Sequence, residues 1–206
     1  MAIAPGSTIA DYLIPSRMSR SRNMLKDASL VVGFSLFTAL CAHVSFLLPF
    51  SPVPVTLQTL AVLLTGAALG RRRGGLALLL YLAEGAAGLP VFAPVPGSPG
   101  GFLALLGFTG GYLWSFPVAA FVTGWLCERR LDRRFLTSAL AMLPGTLIIY
   151  LIGVTWLAMT LHLDSLTAIR LGMVPFIPGD VLKLMIAAAL LPTAWALVRK
   201  GKPEHD

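Results

Sequence analysis

Acidic residues are scarce in this chain. It holds 9 Asp and Glu in 206 positions, and charged residues of both signs make up 12%. A soluble domain of this length carries roughly twice that share. Cysteine is nearly absent: Cys41 and Cys127 stand in different apolar stretches, which fits small packing residues and implies no disulfide framework. His43 and His162 are isolated, with no clustered ligand set for a metal. A phosphate-binding loop is missing, because Gly201-Lys202 runs into Pro203 and lacks the earlier glycine of that motif. ATP hydrolysis of that kind is therefore excluded, and no Ser/His/Asp or metalloprotease spacing points to an intramembrane hydrolase. The expectation is a chain that is not an enzyme. No apolar core precedes Arg17 to make a cleavable signal peptide. No internal repeat is evident. The two-residue alternation of a membrane barrel is also missing.

What remains is apolar. Hydrophobic residues make up 56%, and mean hydropathy is +0.81. Several runs approach or exceed the ~18–20 residues that cross a bilayer. Backbone polar groups must be paired within hydrocarbon, so these runs predict helices. The expected fold is an all-α integral membrane domain over 29–199. Its six spans fall near 29–48, 55–70, 74–91, 109–127, 136–161 and 172–198. A segment over 1–28 precedes it, with a surface helix over 9–24 or a disordered tail as equal readings, and a tail over 200–206 follows. The second and third spans are short and meet at Arg71-Arg72-Arg73, so a helical hairpin that fails to cross is a competing reading.

Charge placement sets the orientation. With both termini cytoplasmic, the inner segments hold every one of the 16 Lys and Arg except Arg170 and Lys183. That asymmetry follows the positive-inside bias. The net charge of +7 thus reads as topology and contact with anionic lipid, and no nucleic-acid partner is implied. The outer loops are unusual by contrast. Residues 49–56 contain Pro49, Pro52 and Pro54. Residues 90–108 carry Pro90, Pro94, Pro96 and Pro99 among glycines and phenylalanines, without a charge. Such a loop fits a lid over a cavity or a compact structural cap.

Few polar groups lie inside the spans. Asp180 and Lys183 are three apart, so both face one side of a helix that Pro178 and Gly179 help to start. An ionised Asp180 there sits near a positive helix end. Buried charges in hydrocarbon are costly and usually face a protein interior or a wet cavity. The pair therefore reads either as a structural tie between helices or as a polar ligand site. Tyr81 and Glu84 share a face of the third span in the same way. Helical rise puts Glu84 about 15 Å from the inner end and Asp180 about 12 Å from the outer end, so their depths agree. Gln58, Thr59 and Tyr112 fall near the same level, and Gly110-Gly111 allows close backbone approach there. The expected lining of a pocket near the outer face is Gln58, Tyr81, Glu84, Gly111, Tyr112, Asp180 and Lys183. For Tyr112, anchoring at the membrane interface competes. Gly66-xxx-Gly70, Ser35-xxx-Ala39 and Thr38-xxx-Ala42 suit close helix packing.

Four ordered motifs resemble one family. They are Pro52-Val53-Pro54-Val55-Thr56-Leu57-Gln58-Thr59, the stretch from Tyr81 to Phe92, Thr109-Gly110-Gly111-Tyr112-Leu113, and Pro175 through Lys183. In this order they resemble the BioY family, the biotin-binding S components of energy-coupling factor (ECF) transporters. The resemblance spans about 29–199. It implies six helices in the cell membrane, a biotin pocket near the outer surface and no cofactor. It also implies a partner module of one coupling membrane protein and two ATPases, and an S component that topples in the membrane to release biotin inside. The chain departs from the family pattern at Phe108, where proline is common, and at Glu84, where an apolar residue is common. The small-residue coupling motif on the first helix is only approximated.

Biotin's chemistry fits the polar residues. Its cyclic urea has two N–H donors and one carbonyl, and its aliphatic tail ends in a carboxylate. Asp180 can accept urea N–H groups, while Lys183 can donate to the urea carbonyl or to the carboxylate. Two other classes fit the same residues: a self-sufficient proton-coupled carrier using Glu84 or Asp180, and a membrane scaffold whose internal charges are structural only.

Overall fold

The computed structural model describes residues 8–13, 20–95, 97 and 99–200. Its elements in chain order are α1 (Ile9–Leu13), α2 (Arg20–His43), β1 (Ser45–Leu47), β2 (Pro54–Thr56), α3 (Gln58–Leu69), α4 (Arg71–Ala86), α5 (Phe102–Leu106), α6 (Gly110–Glu128), α7 (Phe135–Thr160), α8 (Ser165–Gly172) and α9 (Ile177–Lys200). Six of the helices, α2, α3, α4, α6, α7 and α9, correspond to the six apolar runs. By length and apolarity, the described segments sufficient to cross a membrane are Ser21–His43, Phe135–Thr160 and Ser165–Val198. Apolar α3 has only 12 residues, about 18 Å of helix, which is short of the ~30 Å hydrocarbon layer.

The bundle is organised on α6, which packs against α3, α4 and α7, while α9 packs on α7 and α3. Buried small polar residues (Ser35, Thr38, Thr65, Ser115, Thr123, Ser138) lie between helices, where small side chains let backbones approach. A Cβ at Gly66 would collide with the Ala120 backbone, so that glycine sets the α3–α6 approach. Gly70 is the single residue between α3 and α4. Its φ of +82° is open to glycine at little cost, and it makes the turn tight. The outside of the bundle is apolar: Leu40 is 71% exposed, Leu151 72% and Met159 69%. Water would not tolerate so continuous an apolar surface in a soluble monomer.

Several local features differ from the sequence reading. The stretch 45–56, expected as the end of the first span and a proline-rich outer loop, forms an antiparallel hairpin with Phe46 opposite Val55. Ser51 Oγ donates to the Leu171 carbonyl at 2.8 Å, which ties the hairpin to α8. Strands of three residues are too short to show an alternating pattern. The fold class thus gains a two-stranded sheet. The expected surface helix over 9–24 lies partly outside the described residues. Within them, α1 is five residues long and docks on the bundle. Ile9 joins a core cluster with Leu63, Met142 and Trp195, and Tyr12 meets the Trp195 ring edge-on at 5.4 Å.

The basic clusters gather at the α1 end. Arg73 pairs with Asp11 at 2.6 Å and Asp27 at 3.2 Å. The Arg71 N–H donates to Glu128 at 2.9 Å. Asp132 accepts from Trp195 Nε1 at 2.5 Å under the Arg133 guanidinium, which lies 3.2 Å from the Trp195 ring centroid. Burial pushes the Asp132 carboxyl above its usual range, against Trp195 and Arg133.

Candidate functional site

The opposite end of the bundle contains a cavity of about 710 Å³. It exists because α3 begins only at Gln58 and α4 stops at Ala86, leaving space beneath the hairpin and the Pro/Gly loop. Its inner end is buried, with Asp180 8% exposed, Lys183 9% and Tyr150 8%. Leu113, Phe116, Ile149 and Phe176 form apolar walls, while Phe46, Leu47, Leu89, Pro90 and Pro94 form the rim.

Helix α9 starts at Ile177, so Asp180 sits in its first turn, near the positive helix end. Lys183 Nζ donates to Asp180 Oδ1 at 2.7 Å and to Thr59 Oγ1 at 3.2 Å. Thr59 in turn donates to Asp180 Oδ1 at 3.1 Å. Tyr150 donates to Asp180 Oδ2 at 2.5 Å. The pair therefore ties α9 to α3 and α7 and also lines the cavity, a geometry compatible with either reading left open by the sequence.

The other expected site residues divide. Gln58 and Tyr112 line the cavity. Tyr112 donates to the Gly172 carbonyl at 2.7 Å, a fixed internal contact beside the cavity. Tyr81 is fully buried behind the wall. It accepts from Gln58 Nε2 at 2.6 Å, donates to the Val91 carbonyl at 3.0 Å and packs edge-on against Phe92 at 5.4 Å. Its role is to hold Gln58 and the loop in place. Gly111 lies outside the lining, where a Cβ would strike Trp156; it sets the α6–α7 approach. Glu84 also lies outside the lining, and Ser35 Oγ on α2 donates to its Oε2. The physical reason is angular: residues three apart on a helix differ by about 60°, which turns Glu84 from the cavity side toward α2.

Tyr150 was not foreseen. The available signal was a lone tyrosine within a 26-residue apolar helix, because a buried hydroxyl needs a partner. His43 is at the rim, with Nδ1 2.9 Å from the Ala39 carbonyl. Among the described residues no cluster of His, Cys, Asp or Glu is arranged to hold a metal.

Known proteins are similar to this chain in sequence and fold. The sequence profile of the BioY family matches residues 15–200. A probable biotin transporter BioY of Pyrococcus horikoshii is 42% identical over 165 residues, covering 80% of this chain and 93% of that protein. The biotin transporter BioY of Thermotoga maritima is 42% identical over 162 residues, covering 78% and 92%. Among solved structures, the S-component for biotin from an ECF-type ABC transporter superposes with a TM-score of 0.76 at 24% identity. That match covers 90% of this chain and 96% of the other, and it shows a shared fold.

Proposed function

The chain belongs to the BioY family, and from that premise we propose that it takes up biotin as the substrate-binding S component of an ECF transporter. The observation that carries the reading is the Asp180–Lys183 pair at the closed end of an otherwise largely apolar cavity. Such a site offers an acceptor and a donor to a cyclic urea, and apolar walls to a thiophane ring and an aliphatic chain. Leaving these buried polar groups unpaired is costly, so analogues lacking the urea are rejected. The ligand contacts come from Asp180, Lys183, Gln58 and Tyr112, with Tyr150 and Thr59 setting the carboxylate. Tyr81 and Gly111 support the site from behind, and Glu84 is a helix-packing group.

In this reading the domain over 29–199 crosses the cell membrane six times. Both termini are cytoplasmic and the cavity lies near the outer face. Support comes from the positive charge gathered at the end opposite the cavity and from the apolar outer surface. Short α3 completes its crossing together with the hairpin segment before it. The chain supplies binding and contacts lipid. As in the ECF arrangement that the family resemblance implies, a coupling membrane protein and two ATPases supply the energy.

The test is calorimetric titration of the purified protein with biotin, followed by uptake into vesicles with and without the partner module. Saturable binding and ATP-dependent uptake are expected. A folded protein that fails to bind biotin refutes the reading, and uptake abolished by a protonophore without any ATP requirement points to the proton-coupled carrier.

A further inference from the structure

The hydrogen bonds of the closed end leave little unoccupied. An ionised carboxylate has about four acceptor sites and an ammonium three donors. Lys183 and Thr59 occupy Asp180 Oδ1, and Tyr150 takes one site on Oδ2. One acceptor direction on Oδ2 remains. Lys183 spends two N–H groups on Asp180 and Thr59, so one remains. A single acceptor beside a single donor matches the N–H and C=O of a cyclic urea. A carboxylate carries acceptors only, and it would meet Asp180 as a like charge. Lys183 gives it no net attraction, because its charge is already matched 2.7 Å away.

Among the described residues, no Lys, Arg, Asp or Glu other than Asp180 and Lys183 lines the cavity. His43 Nδ1 lies 2.9 Å from the Ala39 carbonyl, so that nitrogen is spent within its own helix and is not offered to a ligand. The lining hydroxyls of Ser45, Thr56 and Thr109 serve an amide carbonyl as well as a carboxylate oxygen. The cavity runs from buried Asp180 to a rim where Phe46 is 61% and Leu89 53% exposed. A chain leaving the bicycle therefore points at an open mouth.

Resting on the biotin reading above, we infer that this site reads the ureido bicycle and leaves the acid end unread, so that amide-linked biotin is a ligand class of the same site. Biotinamide and Nε-biotinyl-lysine place a neutral amide where biotin has its carboxylate. Neither change removes a partner from Asp180 or Lys183.

The experiment titrates the full-length protein in detergent with four probes: biotin, biotinamide, Nε-biotinyl-lysine, and biotin methylated on a ureido nitrogen. Both amides are expected to bind within about tenfold of biotin. The blocked ureido compound should lose more than about a hundredfold, because its buried partners are left unpaired. Tight biotin binding with either amide weakened by more than about tenfold overturns the inference and leaves the biotin reading intact. Retained binding of the blocked compound also overturns it, since the head group would not be what the closed end reads. Failure of all four probes against protein with native circular dichroism removes the biotin reading, and the inference with it.

Discussion

Lys183→Met and Asp180→Asn remove the two halves of one buried pair, yet the structure predicts unequal consequences. After Lys183→Met, Asp180 still accepts from Tyr150 and Thr59. Hydrogen bonds to a charged group contribute roughly 1.5–3 kcal/mol each, so those two offset much of the penalty for an unpaired carboxylate. After Asp180→Asn, Lys183 keeps only Thr59 and an amide oxygen, and no anion faces it. Breaking a buried pair from one side costs ~3–5 kcal/mol, and this variant should lie nearer the upper figure. The Asp180→Asn, Lys183→Met double variant leaves no bare charge and should recover stability relative to Asp180→Asn. Binding should behave differently. Each single variant that folds loses at least one charged ligand contact, about 1.5–3 kcal/mol, or roughly tenfold to a hundredfold in Kd. The double variant should fold and still fail to bind. Thermal unfolding in detergent and biotin calorimetry on the same four proteins measure both arms. A folded double variant that binds biotin like the parent refutes the assignment of these residues to the ligand. Equal destabilisation by the two single variants refutes the argument from Tyr150 and Thr59.

Other outcomes follow from single contacts. Tyr150→Phe keeps the ring in its cluster with Val53 and Phe176 but removes the donor to Asp180; biotin Kd should rise about tenfold or more, and an unchanged Kd would show the hydroxyl to be idle. Glu84→Gln retains a partner for Ser35 and touches no part of the cavity, so binding should persist; a loss as large as that from Asp180→Ala would return Glu84 to the site and revive proton coupling. In a background lacking Cys41 and Cys127, an impermeant thiol reagent applied outside cells should label Gly97→Cys and spare Arg72→Cys, and the reverse pattern would invert the proposed topology. Burial pushes the Asp11 carboxyl up, but Arg73 and Thr8 prevail and hold it below its ordinary value. A depressed acid stabilises the fold above the unfolded value of about 3.9 and loses that contribution as pH falls through the folded value. The parent should therefore lose unfolding temperature below about pH 4 more steeply than Asp11→Asn; identical slopes would show that α1 does not depend on this carboxylate.

The amino-acid sequence by itself determined the helical membrane character, the six apolar runs, the orientation bias and the family. These follow from composition and local order, because hydrocarbon requires paired backbone and loops record the charge bias. The Asp180–Lys183 pair was equally legible, since three residues of separation and a long lysine stem bring the charges together wherever the helix packs. Tertiary structure alone decided what surrounds that pair. Tyr150 and Thr59 meet Asp180 across 30 and 121 residues, distances at which no sequence spacing carries information. Glu84 illustrates the same limit from the other side. It shares depth and nominal face with Tyr81, but the packing of α4 between α2 and α6 fixes its rotation, and a shorter side chain cannot recover the remaining angle. The hairpin over 45–56 was invisible for a related reason: its two strands of three residues exist only through pairing with each other and docking on α8. Length and polarity are properties of a segment, whereas the aim of each side chain is settled by its neighbours.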